Sequence, residues 1–151
     1  MEYRRLFIVR KDLNLSAGKL VAQLSHCAEA YWLHLIRDSL YTNEQSAYSD
    51  LILDKQMVDG YILGKIIKTI CEARNKNHLL KARELANEAG LVEGKDYGFI
   101  YDLCLTELEP EEENGTTLTA FWTGPLPTET AHKISKKYHL LIDRSQKNNQ
   151  P

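Results

Sequence analysis

The sequence has few cysteines, and none of them is paired at a spacing that suits a disulfide or a metal. Cys27, Cys71 and Cys104 are isolated from one another. An odd count of thiols without a CxxC pair argues against a disulfide framework and against a zinc site. We therefore expect buried, unreactive thiols.

Long apolar runs are absent as well. No stretch reaches the ~20 apolar residues that a membrane-spanning helix requires. The N-terminal segment leads directly into a strand-like run and has neither the apolar core nor the small-residue cleavage site of a signal peptide. We therefore expect a cytoplasmic protein with no membrane contact.

The chain carries almost no excess charge. Its 19 Lys and Arg against 21 Asp and Glu give a formal net charge of −2, which is unlike a strongly basic nucleic-acid binder. The charges are clustered, however: residues 107–113 are rich in glutamate, whereas basic side chains gather in residues 4–11 and 133–144. Because a polyanion needs only a local basic face, the net charge does not decide against an RNA ligand.

Familiar catalytic signatures are also missing. The sequence contains no Walker A loop, no dinucleotide-binding glycine pattern, no GxSxG and no HExxH. His132 and His139 have no other metal-ligating residue at a suitable spacing. We expect neither a metal ion nor an organic cofactor.

What the sequence does contain is an alternation of strand-like and helix-like segments. With 151 residues it is long enough for one domain with a substantial core. We expect that domain over residues 1–144, followed by a disordered polar tail at 145–151. Apolar and β-branched runs predict strands at residues 6–9, 68–74, 97–101 and 118–123. Because helices follow strands, the predicted fold class is α/β, with three layers: a four-stranded mixed β-sheet flanked by helices on its faces.

Capping signals predict where the helices begin and end. Ser16 is expected to cap a long first helix that ends near residue 39. Asn77 is expected to cap a second helix that ends at Gly90, and Thr128 to cap the last one. The remaining segments are a connection at 41–49, a partly helical stretch at 51–63, and an edge strand or packed segment at 140–142.

One stripe of the first helix is polar. Lys19, Gln23 and His26 follow one another at i, i+4 and i+7, beside an apolar stripe that we expect to face the core. The apolar stripe consists of Leu20, Leu24, Cys27, Tyr31 and Leu35. The polar row is either a solvated helix edge or an anion site, because free backbone N–H groups also point out of a helix N-terminus.

Further candidates fall near strand ends, where the ligands of open α/β sheets collect. Asp102 follows the third strand, Thr106 lies four residues further on, and Thr119 lies in the fourth strand. A carboxylate can position or deprotonate a water molecule, and an ammonium such as Lys19 can stabilise an oxyanion. Alternatively, Asp102 is a turn residue and both threonines are ordinary β-formers. His26 has no acidic partner four residues away and is assigned a supporting role.

These residues stand in motifs that resemble the archaeal and eukaryotic type of peptidyl-tRNA hydrolase. Residues 9–13 read Val-Arg-Lys-Asp-Leu, against the family's Val-Arg-x-Asp-Leu. Residues 18–28 read Gly-Lys-Leu-Val-Ala-Gln-Leu-Ser-His-Cys-Ala, against its Gly-Lys-x-x-Ala-Gln-x-x-His-Ala. Residues 102–107 follow its Asp-x-Gly-x-Thr-Gln/Glu pattern with Cys104 in place of the glycine, and residues 119–125 follow its Thr-x-x-x-x-Gly-Pro pattern.

The resemblance implies a function: hydrolysis of the ester that joins a peptide to the 3′ end of tRNA, with no metal or cofactor. It also implies a four-stranded mixed sheet and a homodimer. The catalytic candidates that it carries over are Lys19, Asp102, Thr106 and Thr119, with Gln23 and His26 in support. The residues that we expect to contact tRNA phosphates are Arg10, Lys11 and Lys68.

Some positions that are basic in that family are not basic here. Asn14, Ser16 and Ala17 stand in a loop that is rich in lysine and glycine there, and Glu72 takes the place of a lysine. Each change removes positive charge or loop freedom where tRNA phosphate would lie. Two alternatives therefore stay open: a non-catalytic RNA- or protein-binding module on the same fold, and a hydrolase of a smaller acyl ester.

Overall fold

A mixed β-sheet forms the middle of the molecule. The structure is a computed structural model and describes residues 1–142, so the tail expected at 145–151 lies outside the described residues. The strands are β1 (Tyr3–Arg10), β2 (Leu40–Thr42), β3 (Ala47–Ser49), β4 (Ile67–Ala73), β5 (Tyr97–Asp102), β6 (Thr117–Thr123), β7 (Leu126–Pro127) and β8 (His139–Leu140). The helices are α1 (Ala17–Asp38), α2 (Lys55–Met57), α3 (Lys76–Glu88) and α4 (Thr128–Ser135), with a π-helical turn at Val58–Ile62 directly after α2.

The sheet has the order β5-β6-β1-β4-β8, and β7 pairs with the beginning of β1. β1 and β4 are parallel, whereas β6 runs antiparallel to both β1 and β5. The four predicted strands are therefore present in a mixed sheet, as expected. Two short strands, β7 and β8, add to it, and β8 is the edge strand expected near residue 140.

Alternate residues of β1 face opposite layers. Leu6 and Ile8 belong to a core cluster shared with α3 and α4. Phe7 and Val9 belong to a second cluster that packs under α1. Since side chains of a strand alternate between the two faces of a sheet, this pattern requires helices on both faces. The predicted three-layer α/β architecture is confirmed.

A buried arginine fixes α1 on the sheet. Arg5 is 1% exposed, and its guanidinium donates to the carbonyl oxygens of Thr123, Ala28 and Cys27 at 2.9, 2.7 and 2.8 Å. Ser16 caps the helix as predicted, because its Oγ accepts a hydrogen bond from the Lys19 N–H. Within residues 1–142, no helix is long and apolar enough to cross a membrane.

Two predicted helix caps are wrong. Asn75, not Asn77, caps α3: its backbone is extended, so its side chain reaches the N–H of His78 at 2.8 Å. Pro127 holds the N-cap position of α4, while the hydroxyl of Thr128 donates to the backbone oxygen of Glu2. A local pattern cannot distinguish candidate caps that stand one or two residues apart.

Other local predictions have mixed outcomes. Gly90 ends α3 with φ +80°, and its N–H and that of Leu91 bond back to the last helical turn. Residues 41–49 are more than a connection, because β2 and β3 pair as a hairpin there. Cys27 and Cys71 are buried, and burial raises their thiol pKa values to about 12 and about 11. Cys104 differs from the expectation in being only half-buried.

Candidate active site

The carboxylate of Asp102 is the centre of a hydrogen-bonded cluster at the end of β5. It lies 3.0 Å from the ammonium of Lys19 and accepts a second bond from the amide of Gln23 at 3.0 Å, both at Oδ2. Its other oxygen, Oδ1, accepts the N–H of Cys104 at 2.9 Å. Asp102 is only 8% exposed. A carboxylate this buried that accepts bonds from a helix across the fold is more than a strand-end turn residue.

The hydrogen bonds to Asp102 decide its protonation state. Burial raises the pKa of the Asp102 carboxyl, but the bonds from Lys19, the Cys104 N–H and Gln23 outweigh it and leave the pKa below the ordinary value. Asp102 is therefore ionised at neutral pH, where it has no proton to donate. It is suited to orienting a water molecule and to holding a cation in place.

Lys19 lies in the first turn of α1, and its side chain reaches the loop after β5. Its side chain is 13% exposed, and its ammonium also donates to the hydroxyl of Thr106 at 3.1 Å. An ammonium has three N–H donors, and these two bonds use two of them among residues 1–142. One donor therefore remains for an oxygen of a ligand.

Gln23 and Thr119 form the buried side of the cluster around Lys19 and Asp102. Gln23 is fully buried, and its side-chain oxygen accepts a bond from the Thr119 hydroxyl at 2.7 Å. Thr119 thus acts on Asp102 through Gln23 and has no direct contact with Lys19. Gln23 is therefore not part of a solvated helix edge. His26, three residues further along α1, is exposed to solvent.

The loop after Asp102 adopts a conformation that favours glycine. Cys104 has φ +57°, in the left-handed region that costs an L-residue about 1–2 kcal/mol. This conformation brings the Cys104 N–H to Asp102, 2.9 Å away. It also accounts for the glycine that the resembling motif has at this position.

A carboxylate of the chain itself occupies the N-terminus of α1. Glu107 accepts the backbone N–H of Ser16 at 3.1 Å and also bonds to the Ser16 hydroxyl. These bonds lower the pKa of the Glu107 carboxyl. The anion site that the sequence analysis left open therefore already faces a negative charge in this structure.

The three predicted phosphate contacts do not lie together. Arg10 is buried and bonds to Asp12, Glu111 and the backbone oxygen of Leu118. Lys11 is half exposed and lies 3.8 Å from Glu72. Lys68 is exposed but pairs in register with Arg5, five residues before Arg10, or roughly 17 Å along the strand.

The surroundings of the three residues differ. The guanidinium of Arg10 is bonded to Asp12, Glu111 and Leu118, so a tRNA phosphate would compete with these acceptors. Lys68 lies at the other end of the sheet from Lys19, next to the ring of Tyr61. Of the three, Lys11 alone is exposed at the carboxyl end of β1, on the same side as the candidate site.

A groove of about 620 Å³ adjoins the cluster, between α1 and β5. Lys19, His26 and Asp102 line one part of it, and the sequence analysis missed most of the rest. The further lining residues include Leu33, His34, Arg37, Tyr101, Leu105 and Trp122. Among residues 1–142, no group of three or more His, Cys, Asp or Glu is arranged to hold a metal ion.

The missed residues had a detectable signal. Leu33 and Arg37 continue the face of α1 that begins at Lys19 and passes through His26, at successive helical spacings of seven, seven and four residues. Trp122 reads in sequence as a core residue, and it is 1% exposed. In the structure Trp122 lies at the floor of the groove, and the ring of His34 packs against it with centroids 5.3 Å apart.

Comparison with known proteins gives a consistent result. The sequence model of the family described as peptidyl-tRNA hydrolase PTH2 matches residues 3–141. A peptidyl-tRNA hydrolase of Methanopyrus kandleri is 28% identical over 139 residues, which cover 92% of this chain and 98% of that protein. One of Pyrobaculum aerophilum is 30% identical over 140 residues, covering 93% and 98%.

A solved structure has a similar fold. It is that of a protein of unknown function from Agrobacterium tumefaciens, which superimposes with a TM-score of 0.51 over 94% of this chain and 99% of that one. The two sequences are 9% identical. At that identity the likeness concerns the fold alone.

Proposed function

Because this chain belongs to the peptidyl-tRNA hydrolase PTH2 family, we propose that it hydrolyses the ester bond of peptidyl-tRNA and releases free tRNA and peptide. The observation that carries the proposal is the Lys19–Asp102 pair. Its two charged groups lie 3.0 Å apart, nearly buried, at the side of a groove large enough for an acyl substrate.

Lys19 is proposed to stabilise the charge that develops during hydrolysis. Water adds to the ester carbonyl carbon, and the carbonyl oxygen becomes negative before the bond to the ribose oxygen breaks. The remaining N–H of Lys19 is the donor for that oxygen. Because Asp102 and Thr106 hold the ammonium in place before the reaction, it needs little reorganisation in the transition state.

Asp102 is proposed to hold the attacking water. Each carboxylate oxygen has two lone-pair sites, and Lys19 and Gln23 take both sites on Oδ2. Cys104 takes one site on Oδ1, so one site on Oδ1 is left for a water proton. The lowered pKa makes Asp102 a weak base, and its main contribution is therefore orientation. The proton that the water loses ends on the departing ribose oxygen.

The other candidates act through these two groups. Thr106 fixes the Lys19 ammonium, and Gln23 transmits the position of Thr119 to Asp102. We therefore treat Gln23 and Thr119 as positioning residues. His26 lines the groove beside Lys19 and keeps a supporting role.

The proposed substrate also implies a place and an assembly. A tRNA ester formed during translation is met in the cytoplasm, which is the compartment we propose. The family resemblance implies a homodimer, and we propose one here. Light scattering at assay concentration measures the mass and distinguishes a dimer from a 17.3 kDa monomer.

The proposed function is tested by release of tRNA from an N-blocked aminoacyl-tRNA, with the free aminoacyl-tRNA as the matched substrate. We expect hydrolysis of the first and little of the second. If a folded preparation releases no more tRNA than buffer, the chain is a binding module. If it hydrolyses a small N-acylated amino-acid ester as fast as the tRNA ester, the substrate is a smaller acyl ester.

We expect Glu107→Gln to tighten tRNA binding severalfold and to steepen its dependence on salt. The carboxylate of Glu107 lies at the N-terminus of α1, where it repels phosphate and occupies the backbone N–H of Ser16. Without that charge, more of the binding comes from phosphate contacts that release counterions. Affinity is measured at several salt concentrations for both proteins.

Glu88→Gln is the matched control, because it makes the same change of net charge on α3, which packs on the opposite face of the sheet from α1. It should leave both the affinity and the salt dependence nearly unchanged. Equal effects of the two substitutions would show that net charge alone matters and that phosphate does not approach α1.

A further inference from the structure

We infer that the groove between α1 and β5 receives the peptide part of the substrate as an extended chain and prefers apolar side chains near the ester. The inference rests on the proposed function and deepens it, because it names the class of acyl group that the site accepts. Three properties of the groove support it: its continuity with the catalytic pair, its length and its lining.

Continuity comes from two shared residues. Lys19 and Asp102 belong both to the hydrogen-bonded cluster and to the lining of the groove. An ester carbonyl placed at Lys19 therefore has the groove beside it. The peptide chain attached to the ester has to extend away from the catalytic pair, and the groove of about 620 Å³ offers space for it directly beside Lys19 and Asp102.

The length of the groove exceeds what a single amino acid needs. Its lining on α1 extends from Lys19 to Arg37, which is 18 residues, or about 27 Å at 1.5 Å per residue. An extended peptide advances about 3.3 Å per residue, so several residues of it fit along this face. A site of this length distinguishes a peptidyl ester from an aminoacyl ester by the contact area that each provides.

Part of the lining is apolar although the core does not require it, and it lies beside the charged side chains of Glu29 and Arg37. Leu33, Leu103 and Leu105 are 37%, 68% and 83% exposed, and none of them belongs to the core clusters of residues 1–142. Exposed apolar side chains gathered in one concave surface mark a binding site. Ile100 from the sheet adds further apolar surface to the same groove.

The test compares tRNA esters that carry N-acetylated tripeptides of leucine, aspartate or lysine, with N-acetylglycyl-tRNA as the minimal substrate. We expect kcat/KM for tri-leucine to exceed that for each charged tripeptide by about tenfold or more. Equal values for all esters would overturn the inference while the proposed function stands. Failure to hydrolyse any ester would overturn the proposed function and the inference with it.

Leu33→Glu tests whether the groove itself reads the peptide. The introduced carboxylate attracts lysine side chains and repels aspartate side chains, so it should raise kcat/KM for the tri-lysine ester relative to the tri-aspartate ester about fivefold. That change of selectivity cannot come from loss of folding. Val21→Glu, on the exposed side of α1 outside the groove, is the control and should leave the selectivity as in the wild type.

An unchanged lysine-to-aspartate ratio in a folded Leu33→Glu variant would overturn the inference. If light scattering also shows that this variant has lost a dimer, a second copy of the chain is the occupant of the groove.

Discussion

Lys19→Met should lower kcat/KM for N-blocked aminoacyl-tRNA by about 100- to 1000-fold, the loss of about 2.7–4 kcal/mol that follows removal of one preorganised oxyanion donor. Methionine keeps the length and the apolar stem of lysine but has no N–H. The ammonium lies 3.0 Å from Asp102 and 3.1 Å from the Thr106 hydroxyl, so both groups lose their partner as well. The rate is measured by tRNA release under kcat/KM conditions.

Lys81→Met is the matched control for this change. Lys81 is 59% exposed on α3 and pairs with Glu84 at the surface, at 3.4 Å. The same substitution there should leave kcat/KM unchanged within error, since exposed ion pairs contribute little. A Lys19→Met protein with the wild-type rate would rule out the proposed site.

Asp102→Asn should lower kcat/KM by about 100-fold, as misplacement of the attacking water does. The carboxylate accepts hydrogen bonds from Lys19, Gln23 and the Cys104 N–H. An asparagine oxygen can accept only two, and its NH₂ must then face a donor. The substitution thus removes the charge opposite Lys19 and displaces the oxygen that would hold water, although the side chain keeps its size.

Asp59→Asn provides the corresponding control, because Asp59 forms an exposed i,i+4 pair with Lys55. It should have no measurable effect on activity or stability. If Lys19 and Asp102 act as one unit, the double variant Lys19→Met with Asp102→Asn should be about as slow as the slower single variant. Additive losses would show that the two groups act independently.

The strands and long helices of this protein follow from local patterns in its sequence. The alternation of Leu6 and Ile8 with Phe7 and Val9 is visible in the sequence, and the two faces of β1 pack against different helices. Ser16 caps α1 as its position predicts. The predicted cap of α3 is wrong because Asn75 and Asn77 are equally good local candidates, and only the extended backbone of Asn75 brings its side chain to the His78 N–H. The predicted cap of α4 is wrong because Pro127 takes that position without a side-chain cap bond, which a local preference for threonine does not reveal.

The sequence predicts which residues form the candidate site but not which hydrogen bonds and ion pairs join them. Strand ends and helix spacing indicate that Lys19 and Asp102 approach each other, and in the structure they do. The clustering of basic residues in the sequence predicts that Arg10 contacts tRNA phosphate, and in the structure its guanidinium is buried against Asp12 and Glu111. The sequence shows that Arg10 is a cation, but it does not show that Glu111, 101 residues away, forms an ion pair with it.

The sequence by itself therefore determined the α/β class, the faces of its strands and helices, the family, and the residue types available for chemistry. These depend on neighbours along the chain and on motifs that survive divergence. The tertiary structure decided which groups act together: Gln23 buried between Asp102 and Thr119, Glu107 at the start of α1, and the groove beside Leu33. Those contacts join residues about 80 to 100 positions apart, and only the packing of α1 against β5 and β6 sets the distances on which hydrogen bonds and burial depend.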